Sequence, residues 1–240
     1  MVQFYWTNIL IFEVDVNVTL FFNDANKMVK LSVPISNSGK VIGQTAFGTD
    51  TLFRDGREMI SHRFTAVESG EKYVAVFDKS RYGGHFEDGT LYLSLVRGTT
   101  YCAHPIEDRM LIPDDRFTKK MDQSEHNYFF RLSVCDEIDL DRKANEFNRK
   151  PYAVNVFPLG EKDSENKFDV SVSNKNISLV TMKKSDKRNG YIFRLINNYK
   201  DAQKTSLTIG KATQEFVFGK YEVKTLLYDG SLQELDRMEI

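Results

Sequence analysis

The side chains with the widest chemical repertoire gather in one stretch of the sequence, residues 81–105, around a short apolar run. Arg, Tyr and His can stack on sugar rings and hydrogen-bond to sugar hydroxyls. Six of them bracket one predicted hairpin with a Gly83-Gly84 bend: Arg81, Tyr82, His85, Arg97, Tyr101 and His104. The pattern predicts a carbohydrate-facing edge of the sheet. Ordinary polar strand ends explain the same pattern about equally well.

Metal and nucleophilic chemistry have weaker support. The four His residues, His62, His85, His104 and His126, show no HxH or HExxH spacing, and no carboxylates stand in a metal-ligand pattern. Cys102 and His104 share one face of a strand and could form a nucleophilic couple, but a Cys at a strand end is usually a small buried apolar residue. The sequence therefore predicts no catalytic residue, no metal ligand and no cofactor within this chain.

The composition bounds the class of protein. The 240 residues are 41% hydrophobic and 28% charged, which is typical of a soluble globular protein. A net charge of -1 argues against nucleic acid and anionic membranes as partners. The N-terminal apolar stretch carries Glu13 and Asp15 and lacks a basic region, so it does not predict a signal peptide. With only Cys102 and Cys135, and no CxxC pair, we expect reduced thiols and a cytoplasmic protein.

Regular alternation of apolar and polar residues dominates the chain and predicts β-strands. In LYLSLV, Leu91, Leu93 and Leu95 share one face, and KYVAVFD, YIFRLI and YEVKTLLY alternate in the same way. Six turn pairs separate such runs: Asn23-Asp24, Ser38-Gly39, Asp55-Gly56, Asp88-Gly89, Asn189-Gly190 and Asp229-Gly230. Strands joined by tight turns must therefore position the candidate residues.

Helical periodicity is confined to residues 137–150, where Leu140, Ala144 and Phe147 could share a face ahead of Pro151. This segment predicts a connector with a turn or two of helix. We therefore predict an all-β protein, with a large antiparallel β-sandwich over residues 1–150 and a smaller C-terminal β domain over residues 151–240 packed on the first.

The order of several motifs resembles the C-terminal β region of glycoside hydrolase family 38, the α-mannosidases. Residues 81–97 resemble the family's KYG-like bend and its D-G-x-L-x-L-x-L-x-R hairpin, and Arg97 to Tyr101 resemble its R-x-x-x-Y segment. Asp122 through Tyr128 resemble its D-Q-G-x-H-x-F-x-Y strand, with Ser124 in place of the usual glycine. Looser similarity extends to residues 12–55 and 216–226.

This resemblance implies a mutarotase-like supersandwich. It also implies that the chain begins within this sandwich, so that the N-terminal strands of the sandwich would be missing. In the family, an N-terminal α/β barrel holds a zinc ion and an aspartate nucleophile, and the β portion packs on this barrel and lends loops to the rim of the sugar pocket. The resemblance implies that the hairpin around Tyr82–His85 and the loop 98–105 are the candidates for this rim. No HxD-type zinc motif matches here, so zinc is expected in the missing catalytic domain. The implied function is an accessory and structural C-terminal β domain of a zinc-dependent retaining α-mannosidase, inactive in isolation.

Other readings of the same residues stay open. The aromatic and Arg-rich hairpin also fits a stand-alone carbohydrate-binding β-sandwich module. A mutarotase-like epimerase would need a His and a carboxylate facing one groove. The partners that we expect are the catalytic barrel and, as ligands, mannosides. If strands are missing, an exposed sheet edge or apolar patch would also favour a homo-oligomer.

Overall fold

The structure, a computed structural model, describes residues 2–8, 12–79, 81–98, 120–153, 155, 157 and 169–236. Strands dominate these residues, as the alternating pattern predicted. In chain order the first eleven are β1 (Val2–Asn8), β2 (Glu13–Phe22), β3 (Met28–Pro34), β4 (Val41–Thr45), β5 (Gly48–Thr51), β6 (Met59–Ile60), β7 (His62–Ser69), β8 (Lys72–Asp78), β9 (Gly83–Glu87), β10 (Thr90–Arg97) and β11 (Ser124–Cys135).

These eleven strands form two sheets. One has seven strands in the order β1-β2-β11-β8-β7-β4-β5, and the other has four in the order β3-β10-β9-β6. The two sheets bury one shared apolar core, because side chains at alternate positions of each strand point to the same face. The larger sheet contributes Val16, Val18, Val41, Val67, Val76 and Phe130, and the smaller contributes Val33, Met59, Phe86, Leu91 and Leu93.

Seven further strands form a second, smaller sandwich. They are β12 (Val170–Val172), β13 (Ile177–Lys184), β14 (Tyr191–Asn197), β15 (Gln203–Ile209), β16 (Ala212–Phe218), β17 (Val223–Tyr228) and β18 (Leu232–Leu235). A three-stranded sheet, β12-β15-β16, faces a four-stranded sheet, β13-β14-β17-β18. Their common core includes Phe193, Leu195, Leu207 and Phe218, each fully buried. The predicted all-β fold of a β-sandwich followed by a smaller one is confirmed.

The six predicted turn pairs all fall between consecutive strands. The pair at Asp88-Gly89 joins β9 to β10, and both residues have positive φ angles, 46° and 76°. Positive φ at both central residues is the signature of the tight hairpin turn whose twist matches that of the strands it connects. The charged segment 183–188 spans the end of β13 and the turn that follows it, whereas most of the charged segment 107–122 lies outside the described residues.

The predicted connector contains a 3-10 turn, Glu137–Asp139, and the helix α1, Leu140–Asn148. Leu140 and Ala144 are its buried residues, which agrees with the predicted apolar face. The helix is fastened by Asp141, whose Oδ2 accepts hydrogen bonds from Ser178 Oγ at 2.8 Å and from Asn198 Nδ2 at 2.9 Å.

The chain separates into two compact units. The first comprises residues 1–43 and 51–135, and the second comprises residues 44–50 and 136–240. Residues 44–50 are held within the second unit by Tyr221, whose hydroxyl donates to the Thr49 carbonyl oxygen at 2.9 Å. The sequence-based division into domains at residue 150 stays a prediction, since compact units do not show which segments fold independently.

Candidate functional site

The candidate His85 lies on the outer face of the β3-β10-β9-β6 sheet. Within this sheet Tyr92 pairs with Ser32 on one side and with His85 on the other. The neighbouring residues Leu91 and Leu93 point into the core. Because side chains alternate along a strand, Ser32, Tyr92 and His85 form a row on the opposite, outer face.

A second row runs beside the first across the same face. Ser94 pairs with Lys30, and Gly83 pairs with Ile60. A Cβ added at Gly83 would meet only the Ser94 side chain within 4 Å, at 3.8–3.9 Å. The row Lys30, Ser94, Gly83 and Ile60 is therefore lowest at its centre, where glycine and serine leave the sheet surface open.

Lys30 joins the two rows through hydrogen bonds. Its ammonium lies 2.7 Å from His85 Nδ1 and also contacts Glu58 Oε1. An ammonium group can only donate, so Nδ1 of His85 accepts and the proton of the neutral ring resides on Nε2. Glu58 Oε1 also lies 3.4 Å from His85 Nδ1. The imidazole stacks on the Tyr92 ring, with centroids 4.6 Å apart and planes inclined by 17°. The result is a fixed, polar and aromatic surface.

Arg81 lies below this surface instead of on it. Its side chain is 3% exposed, that of Asp78 is 1% exposed, and Arg81 Nη2 donates to Asp78 Oδ2 at 3.2 Å. Arg81 Nη1 donates to the Gly83 carbonyl oxygen, which holds the backbone at the centre of the second row. Burial raises the pKa of Asp78 and lowers the pKa of Arg81, in each case against the opposing effect of the partner charge. The contacts of Arg81 are those of a supporting residue.

The other sequence candidates have different positions. Tyr82 is 58% exposed beside the sheet, and its ring meets that of His62 edge to face at 5.4 Å. Arg97 is exposed at the end of β10, opposite Met28. Tyr101 and His104 lie outside the described residues, as do Cys102 and most of the segment 98–105. Of the described candidates, His85 therefore lies on the polar and aromatic surface with Lys30 and Tyr92. Tyr82 and Arg97 lie at the same sheet, and Arg81 is buried.

Lys30, Glu58, Tyr92 and Ser94 belong to this surface and were not among the sequence candidates. Tyr92 alternates with the core leucines, so its outward direction could have been read from the hairpin pattern. Lys30 and Glu58 are separated from His85 by 55 and 27 positions, and no local signal connects them.

The family-like motif from Asp122 to Tyr128 fastens the start of β11. His126 Nε2 donates to the Asp122 carbonyl oxygen at 2.8 Å, and Gln123 Nε2 donates to the Asp24 carbonyl oxygen at 2.7 Å. Tyr128 donates its hydroxyl hydrogen to the Leu95 carbonyl oxygen at 2.9 Å. The first bond lies within the motif and the other two join it to backbone elsewhere in the first unit, so these contacts are structural.

Among the residues that the structure describes, no three His, Cys, Asp or Glu side chains are placed to hold a metal ion, so this part of the chain does not fit a zinc centre. No helix in the same residues is long and apolar enough to cross a membrane.

Comparison with known proteins identifies the region. A family model described as the glycosyl hydrolases family 38 C-terminal domain matches residues 7–116. No curated protein matches the chain in sequence. Among solved structures, a protein in glycosyl hydrolase family 38 from Enterococcus faecalis superposes with a TM-score of 0.73 at 13% identity, over 89% of this chain and 28% of that chain. An alpha-mannosidase from Enterococcus faecalis V583 superposes with a TM-score of 0.72 at 12% identity, over 89% of this chain and 27% of that chain.

At these identities the superpositions establish the fold, and the chain spans less than a third of the length of either relative. The family model adds an independent match in sequence, over the stretch that contains the bend, the hairpin and the upstream strands. Residues 7–116 therefore match the C-terminal domain of glycosyl hydrolase family 38, and the resemblance inferred from the sequence motifs is confirmed.

Proposed function

We propose that this chain is the accessory, non-catalytic β region of a zinc-dependent retaining α-mannosidase. The observation that carries the proposal is the family match over residues 7–116. The fold supports it, because 89% of the chain superposes on a part of a protein that is described as an alpha-mannosidase. On this proposal the zinc ion and the nucleophile belong to an α/β barrel outside these 240 residues, and the barrel is the partner of this chain.

The contribution of the chain would be structural support and part of the sugar-pocket rim. A hydrolase of this type needs two carboxyl groups at a fixed separation across the sugar, one as nucleophile and one as acid. Sheets positioned by many backbone hydrogen bonds offer a rigid base for loops that border such a pocket. The hairpin β9–β10 and the residues after it are the part of the first unit that we assign to this rim.

The protein from its natural source provides the test. An antibody against the chain would isolate it, followed by mass measurement and an assay of 4-nitrophenyl α-mannoside hydrolysis. We expect a longer polypeptide, or a complex, that contains an α/β barrel and loses activity when zinc is chelated. The recombinant 240-residue chain should be inactive with or without added Zn²⁺. A native protein without any barrel, or hydrolysis by the recombinant chain, would contradict the proposal.

A second candidate function is a stand-alone carbohydrate-binding module. The observation that favours it is the stacked pair of His85 and Tyr92 beside the open surface at Gly83. Aromatic rings with adjacent hydrogen-bonding groups are common in sugar sites. The two candidates differ in whether the isolated chain binds sugar and in whether the native protein includes a barrel.

We also propose a cytoplasmic location and self-association, both on the grounds given by the sequence. Cell fractionation with an antibody against the chain tests the location, and recovery from a secreted or membrane fraction would contradict it.

Sedimentation velocity tests self-association. A single species with the mass of one chain at all concentrations would contradict a homo-oligomer.

A further inference from the structure

The outer face of the β3-β10-β9-β6 sheet carries several polar groups whose hydrogen-bonding capacity is not used up. Lys30 donates to His85 and Glu58, which leaves the third hydrogen of its ammonium group. Glu58 Oε2, His85 Nε2 and the Tyr92 hydroxyl have no hydrogen-bond partner among the described residues. An ammonium donor, a carboxylate acceptor, an imidazole donor and a hydroxyl thus converge on one small surface.

The charges of this surface cancel. Lys30 is balanced by Glu58, and Nδ1 of His85 accepts from Lys30. Arg81, which lies below the surface, is balanced by Asp78. A phosphate or carboxylate ligand would therefore meet no net positive charge. A neutral ligand with adjacent hydroxyl groups can accept from Lys30 and donate to Glu58 at the same time.

The shape of the surface favours a flat ring. Gly83 and Ser94 leave its centre low, and Ile60, which is 68% exposed, borders it on the β6 side. The row that contains Tyr92 and His85 runs along its side. A pyranose has apolar C–H groups on its faces and hydroxyls around its rim, and this combination matches an apolar and aromatic border with polar groups at its end.

We propose that the outer face of the β3-β10-β9-β6 sheet is a binding site for a neutral hexopyranoside. Gly83 and Ser94 form its floor, Lys30 and Glu58 bind adjacent hydroxyls, and Tyr92 with His85 borders the ring. The inference deepens the second candidate function and is also compatible with an accessory region, in which the site would retain substrate or product away from the barrel. It does not require that the chain have catalytic activity.

The test is a titration of the 240-residue chain with methyl α-D-mannopyranoside and methyl α-D-glucopyranoside, followed by calorimetry and saturation-transfer NMR. Gly83→Leu fills the floor, and we expect it to abolish binding. Glu58→Gln keeps the shape but removes the charged acceptor, and we expect about tenfold weaker binding. The matched control is Glu215→Gln, which changes an exposed carboxylate 2.7 Å from Lys204 in the second unit and should leave affinity unchanged.

Each outcome decides something. No binding of either glycoside by the wild-type chain overturns the inference, and so does binding that survives both Gly83→Leu and Glu58→Gln. If mannose 6-phosphate binds more tightly than the neutral glycosides, the assigned ligand class is wrong. If Gly83→Leu fails to fold, as judged by circular dichroism, the test is the glycoside affinity of Glu58→Gln compared with that of Glu215→Gln. Equal affinities of these two variants would then overturn the inference. A native protein with a barrel but no sugar binding by the chain would leave the accessory function standing while removing this site.

Discussion

The Asp78–Arg81 pair removes two opposite charges from water in the first unit. The side chains are 1% and 3% exposed, so each charge carries a desolvation cost that the charge of its partner offsets in part. Burial therefore raises the pKa of Asp78 in spite of the neighbouring guanidinium. Arg81 also donates to the Gly83 carbonyl oxygen. One ion pair thus links the stability of the unit to the geometry of the sheet surface.

Arg81→Met should destabilise the chain by about 3–5 kcal/mol at neutral pH, because it leaves the Asp78 carboxylate buried without its counter-charge. Urea denaturation measures this change in the free energy of unfolding. The double variant Asp78→Asn/Arg81→Met serves as control and should lie closer to the wild type, since it buries no net charge. Equal destabilisation of the single and double variants would contradict this account.

The loss of stability caused by Arg81→Met should also depend on pH, and it should be smaller at lower pH. Without Arg81 the pKa of Asp78 rises further, so the folded variant binds a proton at pH values where the unfolded chain does not. A group whose pKa is raised by folding lowers the stability in full above its folded-state pKa, and this cost declines as the pH falls from there to the unfolded-state pKa. The difference between Arg81→Met and wild type should therefore shrink as the pH falls from neutral towards the ordinary carboxyl value of 3.8. A difference that does not change with pH would contradict the assignment to Asp78.

At the scale of elements, the β9–β10 hairpin depends on its turn. Gly89 has a φ angle of 76°, and a Cβ there would lie 3.0 Å from the Asn37 backbone nitrogen. Gly70, in the β7–β8 turn, has a φ angle of 64° with nothing within 4 Å of an added Cβ. Gly70→Ala should cost about 1–2 kcal/mol for its backbone conformation alone. Gly89→Ala should cost about 1–3 kcal/mol more, because the methyl group is overpacked against backbone.

The two glycine variants are compared by their free energies of unfolding in urea. They form a matched pair, since both replace a turn glycine of positive φ in the first unit with the same residue. Equal losses would mean that the contact with residues 36–37 has no energetic effect.

The hairpin also shows which parts of the structure can be read from the sequence. The turn at Asp88-Gly89 and the inward direction of Leu91 and Leu93 follow from neighbouring residues, because turn geometry and strand alternation are local. The pairing of Ser94 with Lys30 depends on which distant strand lies beside β10, and on a register irregularity between Ser94 and Val96. No local preference specifies either feature, so half of the candidate surface was not predictable.

The helix α1 makes a second prediction at this scale. Asp141 Oδ2 accepts from Ser178 and from Asn198, and the same oxygen accepts from Asn145 Nδ2 at 2.9 Å. Gln44 Nε2 donates to the other oxygen, Oδ1, at 3.3 Å, so Asp141→Ala removes a charged acceptor from four donors and should destabilise the second unit by about 2 kcal/mol. In this variant, the rate of backbone hydrogen exchange in the peptide that covers Leu140–Asn148 should also rise. Asp186→Ala, which removes an exposed carboxylate beside Lys183, is the control and should have no measurable effect.

At the scale of the whole molecule, two separate apolar cores suggest two units of cooperative unfolding. The first core lies between the seven-stranded sheet and its four-stranded partner, and the second lies between β12-β15-β16 and β13-β14-β17-β18. Burial of apolar side chains is the main favourable contribution to folding. A substitution that disrupts one core should therefore first lower the stability of the strands that form this core.

Phe193→Ala should therefore lower the stability of the second unit by about 3–5 kcal/mol, because it leaves a cavity at a fully buried position. Hydrogen exchange followed by mass spectrometry should show faster exchange in β13–β18, with β2, β8 and β11 unchanged. The matched variant Leu93→Ala, also in a core, should show the reverse pattern at a cost of about 2–5 kcal/mol. If either variant accelerates exchange throughout the chain, the two cores unfold as one cooperative unit, and the assignment of separate units is wrong.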